Sequence, residues 1–135
     1  MKFITEVQVS ETLAGSAKEF VSQFGNAMFR PFAYYDKHLD CIRVQIVDCS
    51  FKEVRKNRIL TVLRANHSEQ DEFAGFNIKG VRYVFEQFGM AATGIHKLTD
   101  LVDKLVKLFP DAASKQVQEI FRPILRDENL VVDLS

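Results

Sequence analysis

The stretch PFAYYDKHLDCIRVQIVD, residues 31–48, decides the fold of this chain. Two apolar runs flank the polar residues 36–40, and alternation of apolar and polar side chains is typical of a strand with one buried face. Asp side chains bond readily to the backbone amides of tight turns. We therefore predict a hairpin whose connection is residues 36–40, with Tyr34 or Tyr35 packed on the sheet and Cys41 leading into the clearest strand.

The rest of the middle of the chain carries similar strand signals. RILTVLRAN, residues 58–66, is apolar on both faces and should lie near the centre of a sheet. DEFAGFNIKG, residues 71–80, follows after a polar connection. The short spacing predicts an antiparallel β-meander of four to five strands. The sequence does not decide the secondary structure of residues 50–57. Ser50 and Glu53 have capping-box spacing for one helical turn, but the sheet could also continue through this segment.

Both ends of the chain show helical periodicity. Residues 2–10 alternate like a short strand, and from Ser10 to Phe24 the period becomes that of an amphipathic helix. The apolar face of this N-terminal helix consists of Leu13, Ala17, Phe20, Val21 and Phe24.

The last third predicts two to three further helices, within residues 80–89, 95–109 and 111–127. Asp111 is the candidate cap of the third, Pro123 should kink or interrupt it, and the tail 129–135 could add an edge strand. The fold class is therefore α+β: a small antiparallel β-meander packed with an N-terminal helix and two to three C-terminal helices, in a single domain spanning residues 1–135.

Composition narrows the classes of function. Eighteen basic and eighteen acidic residues give zero net charge, which makes nucleic-acid binding unlikely and permits association between copies. Twelve Phe residues supply large apolar side chains without a polar group, and we expect some at a subunit contact. No apolar run reaches membrane-spanning length and no signal peptide is apparent, so we expect a cytoplasmic protein, no membrane association, and reduced Cys41 and Cys49.

Asp36, His38 and Asp40 raise the possibility of a metal site. They fall at every second position, so one continuous strand would place all three on the same face, with Cys41 or Asp48 nearby. Oxygen and imidazole ligands suit Zn, Mn or Fe. The competing interpretation is the hairpin connection, which removes the alternation and which the sequence favours.

The second candidate site is a basic cluster that could hold an anion or an acidic partner. Its members are Lys52, Arg55, Lys56 and Arg58. The same charges could instead protect a sheet edge from aggregation.

Two weaker motifs complete the candidates. GFNIKG, residues 75–80, has the glycine spacing of a phosphate loop but lacks its Lys-Ser/Thr, so Gly75 more simply avoids a clash in the sheet and Gly80 opens a helix. His96 and Asp100 lie four apart on a predicted helix, where a surface ion pair is the simpler alternative to a site.

The sequence contains no recognisable catalytic or cofactor motif. We expect a non-enzymatic domain that needs no cofactor and acts by association, as a homodimer and with a possible protein partner. The alternatives are a small-ligand- or metal-dependent enzyme using Asp36, His38 and Asp40, and anion or nucleic-acid binding through the basic segment 52–58.

Overall fold

The computed structural model describes residues 29–66 and 72–135 of the chain. Within this part the protein is α+β, with a five-stranded antiparallel sheet, three helices and a separate pair of short strands. The predicted N-terminal strand and the predicted helix of residues 10–24 lie outside the described residues.

The five strands of the main sheet follow an order that differs from a simple meander. They are β1 (Phe32–Asp36), β2 (Cys41–Gln45), β3 (Phe51–Arg55), β4 (Leu60–Ala65) and β5 (Phe73–Lys79). Their order across the sheet is β1-β2-β5-β4-β3, so β2 pairs with β5 while residues 46–50 carry the chain to the far edge. Strands β3, β4 and β5 are consecutive neighbours and β2 lies beside β5, which is a Greek-key arrangement.

Strand β3 settles the segment that the sequence left open. FKEVR pairs with β4 from Phe51 to Arg55, so residues 51–55 continue the sheet rather than forming a helical turn. Of the two alternatives, the continued sheet is therefore correct, and a short, mostly polar edge strand lies between β2 and RILTVLRAN. As an edge strand it needs little apolar character, which is why periodicity did not reveal it.

Three helices and a strand pair follow β5. They are α1 (Val81–Gln87), β6 (Ile95–Lys97), α2 (Leu98–Leu108), α3 (Ala112–Asp127) and β7 (Val131–Asp133). Residues 95–97 were predicted as the start of a helix, but they pair with the tail, so α2 begins at Leu98. The tail thus forms a strand with β6 and does not extend the main sheet.

Helix α3 confirms the predicted cap and, of the predicted kink or interruption at Pro123, excludes the interruption. The Asp111 side chain caps it, accepting the Ser114 backbone N–H at 2.8 Å. Pro123 does not interrupt the helix, which continues to Asp127. Since Pro123 lies on the exposed side, the carbonyl that loses its helical partner there can be hydrated.

The core lies between one face of the sheet, which we call the first face, and the helices. Cross-strand register places six apolar side chains in two rows on this face: Ile42, Ile78 and Leu60, then Val44, Phe76 and Val62. Helical residues packed against them include Val84, Phe85, Leu101, Leu105, Val117, Phe121 and Leu125. The rings of Phe76 and Phe121 lie 4.9 Å apart between centroids, and each buried Phe contributes about 2–3 kcal/mol of apolar burial.

The opposite side of the sheet, the second face, carries the alternate residues of each strand. A Cβ atom at Gly75 would collide there with the carbonyl oxygen of Val44 on the neighbouring strand. Gly80 has φ 68° and immediately precedes α1. Both glycines of GFNIKG therefore serve the backbone, as the simpler interpretation predicted.

Candidate interaction surface

The connection between β1 and β2 is a turn, which confirms the predicted hairpin. Strand β1 ends at Asp36, whose Oδ1 accepts the backbone N–H groups of His38 at 3.1 Å and Leu39 at 3.2 Å. Asp40 closes the turn in the left-handed conformation, with φ 51°, which Asp tolerates better than most residues. The two aspartates thus bracket the reversal of the chain.

Asp40 also fastens this turn to the first helix. Its carboxylate accepts the Tyr35 hydroxyl at 2.5 Å and the Arg82 backbone N–H at 3.2 Å. Its backbone oxygen accepts the N–H groups of Gly80 at 3.0 Å and Val81 at 3.2 Å. Burial raises the pKa of Tyr35, and the hydrogen bond to Asp40 raises that pKa further. Asp40 of the hairpin therefore accepts hydrogen bonds from the backbone N–H groups at the start of α1.

The metal hypothesis depended on a continuous strand through His38, and the structure does not have that strand. His38 lies exposed in the turn, while Asp36 and Asp40 direct carboxylate oxygens to backbone amides. Across residues 29–66 and 72–135, no three His, Cys, Asp or Glu side chains are grouped so that they could hold a metal ion.

The predicted basic cluster is divided between different surfaces. Lys52 and Arg55 are three residues apart on β3 and so lie on opposite faces of the sheet. Lys56 and Arg58 belong to the turn after β3, where Arg55 donates from Nη2 to the Arg58 carbonyl at 3.0 Å. The four cations therefore do not form one concentrated anion site.

Lys56 instead borders an open groove of about 1150 Å³ along α3. Lys115, Arg122 and Arg126 also line it, together with Glu119. Carboxylates offset much of this positive charge. Arg122 pairs with Asp103 at 2.9 Å, and that hydrogen bond holds the pKa of Asp103 below its ordinary value. Arg126 contacts Asp127 at 3.2 Å, so the groove does not concentrate the field that a phosphate ligand requires.

Asn57, which the sequence did not single out, organises the turn between β3 and β4. Its Oδ1 accepts the backbone N–H groups of Ile59 at 2.9 Å and Leu60 at 2.7 Å. Its Nδ2 donates to Asp111 at 3.2 Å and to Ser114 at 3.3 Å. An Asn between two strands is a turn signal, but its contact with a helix 54 residues away has no local signature.

His96 and the cysteines do not form a catalytic arrangement. His96 lies in β6 and Asp100 in α2, so the predicted single helix carrying both is wrong. The His96 ring packs edge-on against Phe85 at 4.8 Å, and its Nε2 is 2.6 Å from the Thr93 carbonyl. Cys41 and Cys49 are free thiols, as predicted, and burial raises the pKa of both. Protonated thiols are poor nucleophiles at neutral pH.

The two edges of the main sheet differ in chemistry. Along β1, the exposed rings of Phe32 and Tyr34 stack at 6.2 Å, and Phe29 meets Phe32 edge-on at the same distance. We call these three residues the aromatic edge. Strand β3, on the other side, exposes Lys52, Glu53 and Arg55.

Exposed apolar side chains concentrate near the aromatic edge. Of the seven large exposed apolar side chains among residues 29–66 and 72–135, five lie on β1, on its turn, or on the β6–β7 pair, whose strand β7 contacts β1. They are Phe32, Tyr34, Leu39, Ile95 and Val131. Among the described residues, β1 has β2 as its one hydrogen-bonded strand neighbour. The outer backbone groups of β1 are thus next to apolar side chains, a combination typical of association surfaces.

Comparison with known proteins finds no matching family model, no similar curated protein and no similar solved structure. In the part of the chain that the structure describes, no helix has the length and apolar character needed to cross a membrane. The fold and surface define an α+β protein with a Greek-key sheet and one apolar edge.

Proposed function

We propose that this chain is a non-enzymatic association domain that forms a homodimer through β1. The observation that carries the proposal is the contrast between an aromatic edge without charges and a second edge rich in charge. Natural sheets protect unpaired edges with charged side chains, and β3 has this protection. Phe32, Ala33, Tyr34 and Tyr35 are uncharged, and the first charge on β1 is its last residue, Asp36.

A second copy of the chain fits this edge. Two antiparallel β1 strands related by a twofold axis present the same surface to each other, which makes the contact self-complementary. Centring the axis on Tyr34 would place the two Tyr34 rings opposite each other, as a stabilising cross-strand pair. Zero net charge adds no overall repulsion between copies. Leu39 and Val131 nearby could enlarge the contact beyond five residues of strand.

The test is the dimer dissociation constant by analytical ultracentrifugation. We expect wild-type protein to dimerise with a constant on the order of micromolar, typical of a small interface. Tyr34→Lys places like charges opposite each other across the axis and should weaken the dimer at least about tenfold. Glu53→Lys on β3 adds the same side chain to the charged edge and should leave the constant unchanged.

Three outcomes would contradict the proposal. The first is a monomer throughout the accessible concentration range. The second is a dimer that Tyr34→Lys and Glu53→Lys affect equally. The third is a monomer whose β1 amides are nevertheless protected from hydrogen exchange, which would assign this edge to intramolecular pairing with the predicted strand within residues 2–10.

A further inference from the structure

Two exposed lysines lie at one end of the groove along α3. Lys56 belongs to the β3–β4 turn and Lys115 to the first turn of α3, and both line the groove. The Asn57 side chain, which donates to the Ser114 hydroxyl at 3.3 Å, brings the turn against this helix. Among residues 29–66 and 72–135, no carboxylate lies within ion-pair distance of either lysine. This end of the groove therefore carries two positive charges that are available to a ligand.

Arg122 adds a third positive charge farther along the groove, and its orientation is fixed. Its Nε and Nη2 atoms donate to the two carboxylate oxygens of Asp103 at 2.9 and 3.0 Å. This bidentate pair holds the plane of the guanidinium, and Nη1, which has no partner among the described residues, can donate to a ligand. Arg122 comes seven positions after Lys115, which is about 10 Å along the helix axis. The groove thus presents cations at two points about 10 Å apart.

Uncharged groups form much of the rest of the groove. Val106 and Pro123 supply apolar surface, and Gln116 supplies an exposed amide that can bond to a peptide backbone. The groove is open and has a volume of about 1150 Å³, so it can admit a length of chain rather than enclose a small molecule. These groups suit a peptide better than a purely ionic ligand.

Glu119, an acidic residue that lines the groove, distinguishes between two kinds of acidic chain. It lies between Lys115 and Arg122 on α3, and its exposed carboxylate disfavours negative charge at that point. A nucleic acid carries a phosphate on every nucleotide and would place one close to Glu119. A peptide can place an uncharged residue there and carboxylates on either side, about three residues apart in an extended chain. The charge pattern therefore favours an acidic peptide over a nucleic acid.

We propose that this groove binds an extended acidic segment of a partner protein. Carboxylates of the segment, about three residues apart, contact Lys56 and Lys115 at one point and Arg122 at the other. The ion pairs of Arg122 and Arg126 weaken the attraction for a single phosphate, but they do not involve the two lysines. The groove shares no residue with the aromatic edge, so this proposal is independent of the homodimer.

The test uses the full chain and a short fluorescein-labelled peptide with Glu at every third position among Val and Ser. Fluorescence anisotropy gives the dissociation constant of the peptide. In about 0.1 M salt, where charges farther apart than about 10 Å are largely screened, we expect a constant on the order of 100 micromolar. Lys56→Glu and Lys115→Glu should each weaken binding about tenfold or more, because each replaces an attraction by a repulsion. Both residues are exposed, so neither change should disturb the fold.

Lys52→Glu is the matched control, since it makes the same charge change on β3 outside the groove, roughly 13 Å along the strand from Lys56. It should leave the dissociation constant within about twofold of the wild-type value. Glu119→Gln should tighten binding about twofold, because it removes a carboxylate that opposes the peptide. Tyr34→Lys, which should weaken the proposed homodimer, should leave peptide binding unchanged, so the two proposals can fail separately.

Four results would overturn the inference. The first is no binding of the peptide up to about 1 mM protein. The second is equal weakening by Lys52→Glu and Lys115→Glu, which would indicate unspecific charge attraction. The third is equally tight binding of a peptide that carries Gln in place of Glu. The fourth is a single-stranded oligonucleotide that binds wild type more tightly than the peptide does and loses this binding in Lys115→Glu, which would assign the groove to nucleic acid.

Discussion

The two edge strands of the main sheet are anchored in similar ways but expose different side chains. Each belongs to a hairpin, and each hairpin turn is held to the start of a helix by one polar side chain. Asp40 links the β1–β2 turn to α1, while Asn57 links the β3–β4 turn to α3. The edges diverge only outside these turns, where β1 presents aromatic rings and β3 presents charges. The polar residues that anchor each edge strand are thus different from the exposed side chains that determine what can pair with it.

Among the variants that test this comparison, Asp40→Ala should change the free energy of unfolding most. The substitution removes the acceptor of the Tyr35 hydroxyl and of the Arg82 N–H, and it places Ala at φ 51°. Losing the hydrogen bonds and adopting a left-handed conformation without Asp should together lower the free energy of unfolding by about 3 kcal/mol. Urea unfolding of the purified protein measures the change.

Asp36→Ala is the matched control within the same turn. Asp36 bonds two exposed amides of the turn and no helix. Its loss should cost only about 0.5–1 kcal/mol, since water can replace these bonds. An effect as large as that of Asp40→Ala would mean that the local turn, rather than its link to α1, stabilises this edge.

Asn57→Ala should be the next largest change, at the opposite edge. It removes two acceptor bonds that shape the turn and two donor bonds to the first turn of α3. We expect about 2 kcal/mol of destabilisation, measured by the same urea titration, because one of the four bonds is exposed and the other three are only partly buried.

Asn57→Asp separates the acceptor bonds of Asn57 within the turn from its donor bonds to the start of α3. It keeps the acceptor for Ile59 and Leu60 but places a carboxylate beside Asp111. We expect it to destabilise the protein at neutral pH and to recover toward wild type in acid, as the carboxylates are protonated. A variant that behaves like wild type at neutral pH would show that the donor bonds to α3 contribute nothing.

Local chemistry made the β1 edge predictable from the sequence, whereas the segment of β3 was left open between a helical turn and a strand. Residues 31–48 alternate clearly and carry Asp at both ends of the turn, so the hairpin could be predicted. Strand β3 is five residues long and exposes three charged side chains, which gives periodicity little to detect. The pairing of β2 with β5 was also hidden, because strand order is set by packing between segments distant in sequence.

The candidate surface was predictable in composition but not in place. The Phe excess indicated an apolar contact, yet Phe76, Phe85 and Phe121 are in the core while Phe32 is exposed. Sequence patterns do not distinguish these roles when strand order is unknown. The spacing of Asp36, His38 and Asp40 predicts a metal site only if the strand continues through His38, and the turn that the sequence favoured interrupts that strand. Backbone conformation at residues 37–40 decides that question.

The smallest expected effect is a difference in pH response between the two edges. Burial, followed by the bond to Asp40, raises the pKa of Tyr35. Because the pKa of Tyr35 is higher in the folded than in the unfolded protein, its protonated hydroxyl contributes stability at pH values below the unfolded pKa of about 10. That contribution is lost as the pH rises through the folded pKa. At the other edge the Ser114 N–H lowers the pKa of Asp111. The ionised Asp111 carboxylate therefore contributes stability at pH values above the unfolded pKa of about 3.9. That contribution is lost as the pH falls through the lower, folded pKa.

Two non-titrating variants isolate these contributions. Unfolding free energies from neutral to alkaline pH should show the advantage of wild type over Tyr35→Phe shrinking above about pH 10. The corresponding advantage over Asp111→Asn should shrink below about pH 4 and stay constant in alkali. The differences should be small because Asp111 is exposed and solvent screens it. Parallel curves for wild type and both variants would show that neither anchoring contact depends on protonation, leaving side-chain chemistry beyond the turns as the sole difference between the edges.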